Sequence, residues 1–138
     1  MARTALPALR RPPLALVAAL AALAIIAIPA GTLFAQSQAS PYTVVETGQG
    51  YARLQQAVDA IGSGRGTIAI ASGTHADCAV QREGSISYLA AQPGAAVFDG
   101  MTCEGKAALV LRGQSAEVSG LVFENMRVPD YNGAGIRL

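Results

Sequence analysis

Aromatic side chains are scarce, at 5% of residues with no tryptophan, and the chain has one histidine, two cysteines and no basic cluster beyond its first residues. Each shortage removes a class of function. A nucleic-acid surface needs clustered Lys and Arg with stacking aromatics, yet after residue 35 seven scattered basic residues face nine acidic ones, a net charge of −2. No nucleic-acid partner is expected. Two cysteines without a C-x-x-C pair, and the lone His75, make no zinc set, so neither a metal nor another cofactor is expected. No segment after Ile61 holds a helical period of useful length, which leaves strands and turns for the rest.

Charge is also missing from Leu14 to Ala35, a 22-residue run that follows Arg3, Arg10 and Arg11. Basic residues before an apolar core mark an export signal. The run is long enough to cross a bilayer, but Pro29 and Gly31 interrupt its last third. Residues 1–35 are therefore read as a signal peptide, cleaved after Ala35 or Ala39, or as a retained transmembrane anchor. Contact with membrane is expected only through residues 14–35. Arg10-Arg11 has one feature of a twin-arginine signal, but Pro12 and Pro13 fit it poorly. Either way the rest is exported, to the periplasm, the extracellular space or an outward-facing anchored position. It amounts to 103 residues, one domain at most, and the 51% hydrophobic content overstates its core because the leader supplies much of it.

Residues 36–50 read as a linker and first strand, and residues 51–138 as one domain. Within Tyr51–Ile61, Leu54, Ala57, Val58 and Ile61 fall at i, i+3, i+4 and i+7, one stripe of a helix, with Gly62 placed for a left-handed C-cap. Short apolar pieces follow: Thr67–Ala71, Ser85–Leu89, Ala95–Phe98, Ala107–Leu111, Glu117–Phe123 and Gly135–Leu138. Turn signals separate them at Ser72-Gly73, Gln92-Pro-Gly94, Asp99-Gly100, Glu104-Gly105, Arg112-Gly113 and Tyr131-Asn-Gly133. If Ile68, Ile86, Leu109 and Ile136 are equivalent, the repeat averages near 23 residues, as in a solenoid with loops of varying length. An antiparallel sandwich is the rival arrangement.

In an exported chain an even pair of cysteines reads first as a disulfide, Cys78 to Cys103. Their spacing of 25 residues would put them on neighbouring strands of a solenoid, about 4.8 Å apart. Two buried free thiols are the competing reading.

The phrases Tyr51-x-x-Leu54-Gln55-x-Ala57-Val58-Asp59-Ala60, Gly66-Thr67-Ile68-x-Ile70-x-x-Gly73-Thr74 and Phe98-Asp99-Gly100 carry a likeness. The chain resembles the N-terminal part of the right-handed parallel β-helix proteins, the pectin-lyase-like superfamily. Gly120-Leu-Val-Phe123-Glu-Asn125 and Gly133-Ala-Gly135-Ile136-x-Leu138 resemble its later strand-and-turn phrases. His75 stands where the family usually carries an aromatic. The resemblance implies a mainly β fold, the start of a right-handed parallel β-helix beneath an N-terminal capping helix. It also implies a polysaccharide partner, and an activity, where there is one, of the lyase or glycoside hydrolase type. Some relatives bind Ca²⁺ through several carboxylates, but none of the family's catalytic motifs can be placed here, so the catalytic residues stay unknown.

Individual candidates have mostly plain readings. Asp99, in its Phe-Asp-Gly turn, is expected to bond its own backbone, and Asn125 to stack inside. His75 and Asp77, two apart, read as a solvated loop pair before an acid–base couple, since no third group orients the imidazole. Glu124, Asp130 and Arg137 gather late in the sequence, and the Arg127–Asn132 loop, with Tyr131 placed to stack on a sugar ring, is the first choice for a binding site. Gly-Ala-Gly-Ile-Arg-Leu138 reads as the start of another strand, so this is expected to be the leading part of a longer protein with any active site beyond it. Two functions follow: polysaccharide binding or processing, and a non-catalytic surface or envelope structure used in adhesion.

Overall fold

The computed structural model describes residues 40–138. Eleven strands and one helix follow in order: β1 (Tyr42–Val44), β2 (Gln49–Tyr51), α1 (Leu54–Ile61), β3 (Arg65–Ile70), β4 (Gly73–His75), β5 (Ala79–Gln81), β6 (Ser85–Ala90), β7 (Ala96–Asp99), β8 (Ala107–Leu111), β9 (Ser115–Ser119), β10 (Leu121–Glu124) and β11 (Ala134–Arg137). They form three small sheets, ordered β2-β1-β3-β6-β9, β4-β7-β10 and β5-β8-β11. From β3 onward every pairing between these strands is parallel, and the chain visits the three sheets in turn.

The expected architecture is corrected by this arrangement. In place of rungs laid one on another beneath a helix, the described residues are mainly β in three separate small sheets with one helix, and the first sheet is mixed. Strand β1 runs antiparallel to both β2 and β3, so neighbouring segments point in opposite directions. The cause is local. Gly48, at φ +68°, turns the chain back, with its N–H donating to the Val44 carbonyl at 2.8 Å, and the hairpin covers the edge of β3 that the helix alone was expected to cover. The expected signal or anchor helix lies in residues 1–35, outside the described residues. No helix among the described residues is long and apolar enough to cross a membrane.

The helix is also shorter than the pattern predicts, because Tyr51 pairs in β2 opposite Tyr42. Leu54, Ala57 and Val58 are buried on its inner face, worth roughly 1.5–3 kcal/mol for each of the larger two. Gly62 ends it at φ +56°, donating to Val58. At the other end the Leu54 N–H is capped from a distance by Asp77 Oδ2 at 2.9 Å.

Inside, Ile68, Ile70, Ile86, Tyr88, Phe98 and Leu109 are fully enclosed. His75, Phe98 and Phe123 sit in register across the second sheet, their rings 5.5 and 5.7 Å apart, and Tyr42 adds a fourth ring beside His75. Buried Gln81 has all its needs met: Nε2 donates to the carbonyls of Gly84 and Ser115, while Oε1 accepts from Tyr88. Burial raises the Tyr88 hydroxyl well above its ordinary value.

The predicted equivalence of Ile68, Ile86, Leu109 and Ile136 holds only for the last pair. Ile68 pairs with Tyr88 and Gly66 with Ile86, whereas Leu109 and Ile136 face each other in the third sheet. Gly66 leaves room for the end of the helix, since a Cβ there would sit 2.8 Å from the Ile61 side chain.

Candidate functional site

Cys78 and Cys103 are joined by a disulfide, Cα to Cα 5.5 Å. A disulfide points to an oxidising, exported environment. Its two ends organise different things. Beside Cys78, buried Asp77 accepts from the N–H groups of Leu54 and Cys78, each at 2.9 Å, and pairs with Arg53 Nε at 3.4 Å. Tyr42, raised in pKa first by burial and then by the neighbouring Asp77 charge, completes this cluster. Beside Cys103 the chain makes a tight turn, Cys103–Lys106, closed by the Lys106 N–H on the Cys103 carbonyl at 3.0 Å.

That turn forms one lip of a cleft of about 490 Å³, lined by Glu104, Gly105, Lys106, Arg112, Asp130, Asn132, Arg137 and Leu138. Register explains the gathering of charge. Gln81 pairs with Leu111 in the third sheet, so Arg82 and Arg112, one residue further on, emerge side by side. Glu104, held at φ +54°, points its carboxylate at both. It takes both terminal nitrogens of Arg112 in a fork, with Arg82 Nη2 at 3.5 Å and Lys106 Nζ at 4.0 Å. The Arg112 hydrogen bond, with the charges of Arg112, Lys106 and Arg82, holds the Glu104 carboxyl below its ordinary value, and the same contact raises the Arg112 guanidinium. Glu104 is thus a fixed negative charge and a poor proton donor at neutral pH.

On the opposite lip the Val128–Tyr131 turn closes through the Tyr131 N–H on the Val128 carbonyl at 3.0 Å, and Asp130 Oδ1 accepts from the Asn132 N–H at 3.1 Å. Arg137 donates through Nη2 to the Asn132 carbonyl at 2.8 Å, while its buried Nε has no partner. Tyr131 stands 99% exposed at φ +58°, beside an apolar hollow of about 240 Å³ formed with Met126, Arg127 and Val128. A non-glycine residue held at positive φ costs on the order of 1 kcal/mol or more; here that backbone presents a bare ring to solvent.

The residues singled out from sequence divide. Asp130 and Arg137 share the cleft, whereas Tyr131, between Asp130 and Asn132 in sequence, lines the separate apolar hollow, and Glu124 ends β10 in the second sheet, opposite Asp99. His75 and Asp77 do not form a couple. The imidazole packs between Tyr42 and Phe98 with Nε2 against the Ala71 carbonyl at 2.8 Å, and Asp77 serves the helix. Asp99 bonds Asn125 Nδ2 at 2.7 Å, and Asn125 is exposed at φ +54°. The two tie adjacent turns together. Sequence reasoning missed Arg82, Glu104, Lys106 and Arg112; the only trace was alternating charge at the Glu104-Gly105 and Arg112-Gly113 turns.

Among the described residues no cluster of three or more His, Cys, Asp or Glu is placed to hold a metal ion. The chain matches no protein-family model, no curated protein and no solved structure.

Proposed function

We propose that the exported domain binds polysaccharide at the cleft between the Cys103–Lys106 turn and the Arg127–Asn132 loop. The observation that carries this reading is the exposed Tyr131 ring, set over an apolar hollow in the same loop whose Asp130 and Asn132 line the polar cleft. A flat aromatic face receives the apolar face of a sugar ring, while nearby Asp130, Asn132, Lys106 and Arg137 supply the directional bonds that hydroxyl and acidic substituents need. Binding is better supported than turnover, because Glu104 is committed to Arg112 and Asp130 accepts a backbone N–H. Neither is paired as acid and base. A relation to the pectin-lyase-like proteins, suggested by residues 51–100, belongs to the same proposal and supplies the polysaccharide class. So does placement in the periplasm, outside the cell, or on an outward-facing anchor.

The test is titration of the disulfide-bonded protein with neutral and acidic oligosaccharides, alongside Tyr131→Ala. Losing one stacked ring should weaken binding roughly three- to tenfold with the melting temperature unchanged, since the ring touches solvent. If no oligosaccharide binds, a non-catalytic structural or adhesive role on the cell surface becomes the better reading.

A further inference from the structure

The cleft contains its own anion. Arg82, Lys106 and Arg112 converge on Glu104, and Asp130 and Arg137 line the same cleft. The guanidinium fork of Arg112 is the group best shaped to take an oxyanion in two parallel hydrogen bonds, and the Glu104 carboxylate already fills it. Glu104 and Arg112 are open to solvent, at 29% and 40% exposure, so an incoming anion can reach the pair, although its forked geometry among several cations makes it stronger than an isolated surface pair.

We infer that Glu104 is a resident counter-ion which an oxyanion on the incoming ligand displaces from Arg112, so that this carboxylate sets the selectivity of the cleft. The inference rests on the cleft being a glycan site. Its position favours exchange. Glu104 sits in a turn anchored by the Cys78–Cys103 disulfide one residue earlier, so the side chain can swing away while its backbone stays. Arg112 extends from the end of β8, whose five residues are all buried, and therefore stays where the ligand finds it. Lys106 and Arg137 line the same cleft and bring further positive charge to the arriving anion. Carboxylate and sulfate groups share this chemistry.

Four probes separate the outcomes: a carboxylated oligosaccharide, a sulfated one, their neutral counterpart, and inorganic sulfate alone. Each is titrated calorimetrically into the full disulfide-bonded chain and into Glu104→Gln, which keeps the side-chain shape and removes the charge. The expected result is a rise of roughly three- to tenfold in affinity for one charged oligosaccharide in E104Q, from removal of a competing exposed ion. The neutral oligosaccharide should be unaffected. Which charged probe responds identifies the source of the oxyanion, and a response to inorganic sulfate alone supports the exchange while removing the glycan reading. If the charged oligosaccharides bind the natural chain and E104Q binds them equally or more weakly, the inference is overturned and the glycan reading stands. If none of the four binds either protein, both are overturned. Glu104→Ser repeats the comparison should E104Q melt early, since a merely structural Glu104 would lose affinity in both variants.

Discussion

Removing the disulfide tests how much of the fold depends on one covalent link. Cys78 and Cys103 close a loop with a sequence separation of 25. Opening it returns chain entropy to the unfolded state, worth about 3.5 kcal/mol for a loop of that size in the chain-entropy account. A domain of this length has roughly 5–15 kcal/mol of net stability, so a quarter or more of it hangs on this bond. Near 100 residues each kcal/mol moves the melting point by about 4–8 °C. The double variant Cys78→Ser with Cys103→Ser should therefore melt about 15–25 °C lower in scanning calorimetry, with the transition still cooperative. A fall of less than about 5 °C would refute the reasoning. It would mean that the unfolded chain is already confined, or that the bridge strains the native turn enough to cancel the gain.

Other expectations come from single contacts. Asp77→Ala removes the acceptor of the Leu54 and Cys78 N–H groups and should cost about 1–3 kcal/mol in urea unfolding; an unchanged midpoint would show that water replaces it. Phe98→Ala empties a fully enclosed site between His75 and Phe123 and should cost about 3–5 kcal/mol, read from the same unfolding curves. Glu104 titrates below its ordinary 4.5 in the folded chain, so its contribution is present above that value and disappears as the pH falls through the folded one. Melting temperatures of the natural chain and E104Q should accordingly differ at neutral pH and converge in acid; a constant gap would show that the charge is not the source.

Much of the strand content was legible, from period-two alternation in Ser85–Leu89 and from a short apolar run bounded by turn residues in Ala107–Leu111. The two appear within a residue of β6 and β8. The helix stripe was equally plain, since Leu54, Ala57 and Val58 all turn inward. What stayed hidden has physical causes. Strands β4 and β5 are three residues each, too short for a period to show, and Glu117–Phe123 read as one piece although Gly120 at φ +71° divides β9 from β10. The repeat was misplaced because Ile68, Ile86 and Tyr88 are all enclosed, so any inward residue serves equally well as a marker when only hydrophobicity is read. The reversal of β1 was invisible for the same reason, as strand direction leaves no mark on an alternating pattern. Of the cleft, the loop with Asp130 and Tyr131 was visible by its turn residues. The charges on the facing lip were not, because only pairing across 30 residues of sequence brings Arg82 beside Arg112.

The hairpin that opens the first sheet has a practical corollary. Its tip, Val45–Gly48, is exposed, and of its two strands only β2 has a free edge, which offers just three residues to any newcomer. A strand from another molecule arriving there would find a short, reversed template, so the surface resists recruitment without carrying a dense charge. Because Gly48 makes the turn that reverses the chain, an epitope or affinity handle placed at this tip has to keep the Gly48 N–H on the Val44 carbonyl.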